Sequence, residues 1–304
     1  MTTLATPPEE SVDAPARTVA SAAPRRRRRR AGRVTAAGPL TYLLLALTTL
    51  VSVFPLYWTM VAGSHTNAEI AATPPPFLPD ADLFTNIGRA MEEAPIGLAI
   101  VNSVVVAGCI TVGTVLCCTL AGFAFAKLRF RGNGVLLGLV IGTMMVPTQL
   151  AIIPLFILIA ELQWVDHLQA VVLPTLVSAF GVFFMRQFLT QALPDELLEA
   201  GRVDGASTWR IFWSIVVPVA RPAMAVLAML TFLTAWNDFF WPIIALTTNN
   251  PTVQVALAGL GGGYVPDRAV IMAGTLVGTL PVLVVFVVLG KQIVGGIMQG
   301  AVKG

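Results

Sequence analysis

The chain has 304 residues, 56% of them apolar and 12% charged, with a formal net charge of +3. A soluble domain carries about 25% charged residues. So little charge cannot cover a water-facing surface, so most of this chain must face lipid or protein, and the small positive excess is no sign of nucleic-acid binding.

Residues 1–38 are rich in Ala, Pro, Thr and Arg and lack an apolar period. Such a composition buries no core and reads as a disordered basic tail. The run Arg25 to Arg30 is expected to lie against anionic lipid. The apolar stretch after it is longer than a signal-peptide core, so no cleaved signal is expected.

Crossing the hydrocarbon core takes roughly 20 apolar residues as a helix, and a helix satisfies its own backbone in lipid. Six runs qualify: 40–62, 100–125, 135–160, 170–188, 223–244 and 269–290. Continuous runs of this length argue against a β-barrel. The expected fold is all-α, a membrane domain over 39–290 with six transmembrane helices. Pro147 and Pro154 in the third run and Pro281 in the sixth predict kinks rather than ends.

Between the first two runs, residues 63–99 form a long loop with Pro74, Pro75 and Pro76 as a stiff spacer. A short helix lying on the membrane is expected over 82–94. His65 and His167 fall near membrane boundaries, with no second ligand nearby in sequence. Cys109, Cys117 and Cys118 share one run, lack metal-site spacing and read as small packing residues. Gly134, Gly138 and Gly142, like Gly274 and Gly278, stand four apart, which predicts close helix packing inside the protein.

Lys and Arg concentrate on one side of the spans: Arg25 to Arg33 before the first, Lys127, Arg129 and Arg131 after the second, Arg202, Arg210 and Arg221 after the fourth, Lys291 and Lys303 after the sixth. The positive-inside rule then makes both termini cytoplasmic, with 291–304 as a cytoplasmic tail.

The loop over about 189–222 is charged and punctuated by glycine. Pro194 is expected to open a short helix, with Asp195 and Glu196 in its first turn. Gly205 ends it and Ser207 caps a second helix. Trp209, Phe212, Trp213 and Val216 recur at helical spacing and predict one apolar face, with Pro218 as a stop or a kink. Glu199, Arg202, Asp204 and Arg210 are available to a partner; on the residues alone, an amphipathic surface helix with no partner stands beside that reading.

Further on, Asn237 and Asp238 fall inside the fifth run, where a charge costs roughly 2.5–3.5 kcal/mol at mid-membrane. Trp236, Phe239, Phe240 and Trp241 surround them. Two readings stand: a substrate pathway with aromatic platforms, or an aromatic belt with internal hydrogen bonds.

Glu199, Ala200, Asp204, Gly205, Ala206, Phe212, Ile215 and Pro218 together resemble the EAA loop of ATP-binding-cassette importer permeases; Gly201 stands where that family usually has Ala. The stretch 231–242 resembles the carbohydrate branch of the maltose-system type, and 295–304 resembles the C-terminus of its second permease subunit. The likeness covers about 38–304 and is greatest to cellobiose and cellotriose permeases.

The resemblance implies a multi-pass subunit of the cell membrane that takes part in sugar import and is not an enzyme. No phosphate-binding Gly-x-x-x-x-Gly-Lys loop is present, so ATP and Mg would be held by partner ATPase subunits. It implies a second permease, two cytoplasmic ATPases and an extracytoplasmic sugar-binding protein as partners. It gives ATPase coupling to Glu199, Ala200, Asp204, Gly205, Ala206, Arg210, Phe212 and Pro218. The loop at Gly261, Gly262, Gly263 and Tyr264 would reach the binding protein. Another sugar, a glycerol-phosphate compound, or ion-coupled secondary transport are the alternatives.

Overall fold

The computed structural model describes residues 38–262 and 266–301, with side chains described through residue 287. The basic tail, Gly263, Tyr264 and the end of the chain therefore lie outside the described residues. All regular structure among the described residues is helical. The chain divides into two compact units, Met1–Ser52 and Val53–Gly304. In the first, the Thr48 and Thr49 hydroxyls of helix α1 (Pro39–Gly63) donate to the Leu44 and Leu45 carbonyls, four residues back. This is how a hydroxyl is satisfied where water is absent.

The second unit is organised around α4 (Ile96–Lys127), 32 residues without a proline. Small residues let other helices approach it. A Cβ at Gly122 would stand 2.7 Å from the Met185 Cβ and 2.8 Å from the Arg186 nitrogen, both in α8 (Ala179–Ala192). At Gly181 the same atom would meet the Cys118 Sγ at 2.7 Å. Cys118, Met185, Leu189 and Leu227 are fully buried at this seam. Cys118 is thus a packing residue, whereas Cys109 is exposed.

Among the described residues, four helices are long and apolar enough to cross a membrane, and six spans result if each of two bent pairs counts as one. The first bent pair corrects the expectation at Pro147. Helix α5 (Asn133–Thr143) ends there, a 3-10 turn (Thr148–Ala151) follows, and α6 (Ile152–Glu161) leaves at 90°. The residue before a proline is pushed out of the helical region and the proline donates no hydrogen bond, so a turn replaces the kink. Pro154 sits in the first turn of α6, where no donor is required, and does not interrupt it. The second bent pair is α7 (Gln169–Val172) with its 3-10 extension Leu173–Thr175, and α8, at 42°. Ser178 caps α8 by accepting the Gly181 N–H at 3.2 Å.

The last span belongs to α14 (Arg268–Ala301), which runs through Pro281 unbroken. Its Gly278 packs on Val253 of α13 (Val253–Leu260), and Gly274 packs on Leu260 and Ile96, as four-residue spacing predicts. The glycines of α5 behave differently. Gly134, Gly138 and Gly142 have nothing within 4 Å among the described residues, so the expected internal packing does not form there.

The segment after α1 contains α2 (Asn67–Ile70) and α3 (Leu83–Glu93). Helix α3 covers the expected 82–94 stretch. Asn86 donates to the Gly63 and His65 carbonyls at 3.0 Å, and Arg89 pairs with Asp267 at 2.7 Å, which ties α3 to the start of α14. His65 is buried, its Nδ1 2.9 Å from the Val61 carbonyl.

Candidate functional site

Two features stand apart from ordinary packing: the helical turn over 194–218, and a cavity deeper in the same unit whose apolar walls carry several hydroxyls and one carboxylate.

Helix α9 (Asp195–Val203) begins after Pro194, with Asp195 and Glu196 in its first turn. It ends as the sequence predicts. Gly205 takes φ +75°, its N–H donates to Arg202, and the Ala206 N–H donates to Gly201 at 2.9 Å. These two bonds complete a Schellman motif, and glycine enters that left-handed position without Cβ strain. Ser207 then caps α10 (Thr208–Ile211) by accepting the Arg210 N–H.

The apolar face after that differs from the expectation. Phe212 and Val216 are buried with Ile211, but Trp209 and Trp213 point outward, 62% and 54% exposed. Phe212 and Val216 lie four apart, as do Trp209 and Trp213, so the two pairs form separate stripes about 100° apart and only the first faces the core; a π-helical turn spans Phe212–Val216. Nor does Pro218 stop the helix. It lies in the first turn of α11 (Val217–Trp236), and the run Thr208–Trp236 is continuous over 29 residues. The π bond from the Val217 N–H to Phe212 closes the ladder just before the proline, which has no N–H to place.

The turn is fastened to the spans. Phe212 packs against Phe123 of α4, ring centroids 6.0 Å apart. Lys127, the last residue of α4 and 8% exposed, donates to Asp195 at 2.7 Å. That hydrogen bond and its charge hold the Asp195 carboxyl below the usual carboxylate range, with Arg129 and Arg202 adding to the effect. Gly201 is buried against Ile211 and Ile215, whose terminal methyl would lie 3.2 Å from an added Cβ. That methyl can rotate away, and alanine favours a helix by about 1 kcal/mol over glycine. Gly201→Ala is therefore expected to leave thermal stability equal or slightly higher, read as the unfolding midpoint of the detergent-solubilised chain. Glu199, Ala200, Asp204 and Arg210 are all exposed on this turn, as is Val203, 88% exposed.

The second feature is a cavity of about 390 Å³ between α4, the α7–α8 break and α11. Most of its surface is apolar, from Ile110, Leu227, Leu230, Ala235 and the Phe180 ring, and Thr114, Thr175, Ser178, Thr231, Thr234 and Asp238 bring oxygen atoms to it. The Thr175 and Thr234 hydroxyls donate to backbone carbonyls in their own helices, at 3.0 and 2.9 Å. Their lone pairs stay free to accept. Asp238 lies just past the end of α11 and accepts the Phe240 N–H at 3.2 Å. No lysine or arginine is among the lining residues.

Of the residues expected along a pathway, only Asp238 lines this cavity. Trp236 is buried, stacked on Phe232 at 5.7 Å. Asn237 caps α11 and donates to the Leu233 carbonyl at 2.8 Å. Phe239 and Phe240 are exposed, and Trp241 is buried with its Nε1 donating to the Ala170 carbonyl. The hydroxyl residues escape sequence reading because they lie on three helices and share no local pattern. Gly261 and Gly262 follow α13, and Gly261 caps it.

Comparison with known proteins gives these features a setting. Residues 118–295 match the family described as binding-protein-dependent transport system inner membrane component. The chain is 34% identical over 263 residues to the lactose transport system permease protein LacG of Rhizobium radiobacter, covering 86% of this chain and 95% of that protein. It is 33% identical over 269 residues to the sn-glycerol-3-phosphate transport system permease protein UgpE of Yersinia pestis, covering 85% and 95%. Its fold is similar to a chain in the crystal structure of a bacterial ABC transporter involved in the import of the acidic polysaccharide alginate, with TM-score 0.72, 22% identity, and coverage of 83% of this chain and 94% of that one. These relatives are transport components rather than enzymes, and by family and by its apolar helices the present chain is a multi-pass protein of the cell membrane. The chain belongs to the family of binding-protein-dependent transport system inner membrane components.

Proposed function

We propose that this chain is a permease subunit of an ATP-binding-cassette importer whose substrate is a neutral oligosaccharide. It pairs with a second, different permease, two cytoplasmic ATPase subunits and an extracytoplasmic sugar-binding protein. Both termini and the turn over 194–218 face the cytoplasm. ATP-driven closure of the ATPases pushes α9 and α10. The ties to α4 through Phe212 and Lys127 pass that push to the spans, which open the pathway alternately to either side.

The observation that carries the substrate class is the cavity. Hydroxyl oxygens, one carboxylate and an aromatic face suit a ligand rich in hydroxyl donors and C–H faces. A phosphate dianion would meet Asp238 with no cation to offset it, which speaks against a glycerol phosphate despite the likeness to UgpE. LacG is named for lactose, a β-1,4-linked disaccharide. Cellobiose has the same linkage, which keeps it the leading candidate within this class.

The test is uptake of labelled cellobiose, lactose, maltose and sn-glycerol-3-phosphate in a strain deleted for this chain and in its complemented parent. Loss of a β-linked disaccharide alone, restored by complementation, is expected. Thr231→Val should then raise the uptake KM by about fivefold, the worth of one hydrogen bond of about 1 kcal/mol. Loss of glycerol-phosphate uptake with the sugars unaffected would contradict the reading.

A further inference from the structure

Where α4 ends and α5 begins, the chain turns through residues 128–132 beside the base of α9. Between them lies a cleft of about 680 Å³. Lys127, Arg129 and Arg202 line it, against the carboxylates of Asp195 and Glu199. Lys127 is bonded to Asp195, which leaves two guanidiniums facing one carboxylate. Neither Arg129 nor Arg202 has an ion-pair partner among the described residues, and both are exposed. Asn133 adds a polar side chain, and Phe125, Leu128 and Phe130 form an apolar wall on one side. Phe125 and Phe130 pack on each other at 6.0 Å.

This combination sits at a particular depth. Two membrane-spanning segments meet at the turn, and the apolar residues that follow it, Val135 and Leu139, are exposed on α5. The cleft thus places cations and aromatic rings where a bilayer changes from headgroup to hydrocarbon. We propose that it binds the phosphate of an anionic phospholipid, held between Arg129 and Arg202, with the glycerol and upper acyl carbons against Phe125 and Phe130. Paired arginines bind a phosphate in fork geometry, and basic clefts between spans on the cytoplasmic side are suited to lipid headgroups. A soluble protein partner would supply carboxylates for the arginines but would leave the lipid-side aromatic wall uncovered. The bound lipid braces the α4–α9 junction, the same junction that Lys127 and Asp195 fasten.

The experiment counts lipids on the purified, assembled transporter by native mass spectrometry. It is titrated with palmitoyl-oleoyl phosphatidylglycerol, with phosphatidylcholine of the same chains, or with inorganic phosphate. The expected result is retention of phosphatidylglycerol over phosphatidylcholine, weakened about fivefold by Arg129→Gln and again by Arg202→Gln. Glu199→Gln, which removes the opposing charge, should tighten binding by a similar factor; a gain of this kind cannot come from misfolding. Equal retention by the double variant and the parent would overturn the proposal. So would inorganic phosphate that binds as tightly as the lipid, which would assign the site to free phosphate. Loss of the lipid whenever the ATPase subunits dock would also overturn it, by giving the cleft to that partner.

Discussion

Gly205→Asp should leave the protein inserted at normal levels yet reduce sugar uptake roughly tenfold or more, a cost of at least about 1.4 kcal/mol at the coupling step. Gly205 has φ +75° and open space around its Cα, so an added side chain meets no atom. Aspartate tolerates the left-handed region better than most residues, and the strain is about 1 kcal/mol. The fold should survive that. The docking surface should not, because the new carboxylate sits at the turn between α9 and α10 and would be buried, unpaired, against the ATPase. An uncompensated charge at an interface costs about 2–5 kcal/mol. The comparison is Gly205→Ala, which carries the strain without the charge and should keep most of the uptake. Chain amount in membranes, uptake and substrate-stimulated ATP hydrolysis measure the three parts. Equal loss in both variants would mean that the turn acts through its stability alone.

The second large effect is structural. Gly122→Ala should lower stability by about 2–3 kcal/mol, at the upper end for overpacking, because the atoms that meet the new methyl are backbone or attached to it. The Met185 Cβ, the Arg186 nitrogen and the Met185 carbonyl carbon stand 2.7, 2.8 and 2.9 Å from that position. None of these can rotate aside, so α4 and α8 must separate. Gly138→Ala makes the same chemical change in α5, where nothing lies within 4 Å, and should be neutral or stabilising. Thermal unfolding midpoints of the two variants in detergent give the contrast. Similar midpoints would show that the seam is looser than its geometry.

Both predictions bear on how far the chain can be read from its residues. The turn over 194–218 is legible because its devices are local: a proline before the helix, acids in its first turn, a glycine for the left-handed cap, a serine three residues before the N–H it accepts. The α4–α8 seam is legible only in outline. Glycine spacing predicts close approach equally well in α5 and in α14, yet only α14 uses it internally, since spacing says that a helix can be approached and not by what. The third run breaks ahead of Pro147: α5 ends at Thr143, and a 90° bend forms instead of a kink. Trp209 and Trp213 share a stripe one residue round from Phe212 and Val216, and an apolar pattern does not say which of two neighbouring stripes faces the core. The cavity is the hardest case. Thr114, Thr175 and Thr231 become neighbours only when three helices pack, and hydroxyl residues inside a span look ordinary in sequence because each can bond its own helix. Asp238 alone announced itself, because a carboxylate in an apolar run requires a reason.

The central claim is that the exposed turn of α9 and α10 is where an ATPase grips this permease. Val203 tests it most directly, since its side chain is 88% exposed at the end of α9 and packs on nothing that holds the fold. A photoreactive benzoyl-phenylalanine placed at position 203 in cells expressing the whole transporter should, on irradiation, cross-link to the cytoplasmic ATPase subunit, with a yield that changes when ATP is trapped. Cross-links to lipid or to the other permease alone, with none to the ATPase, would contradict the account.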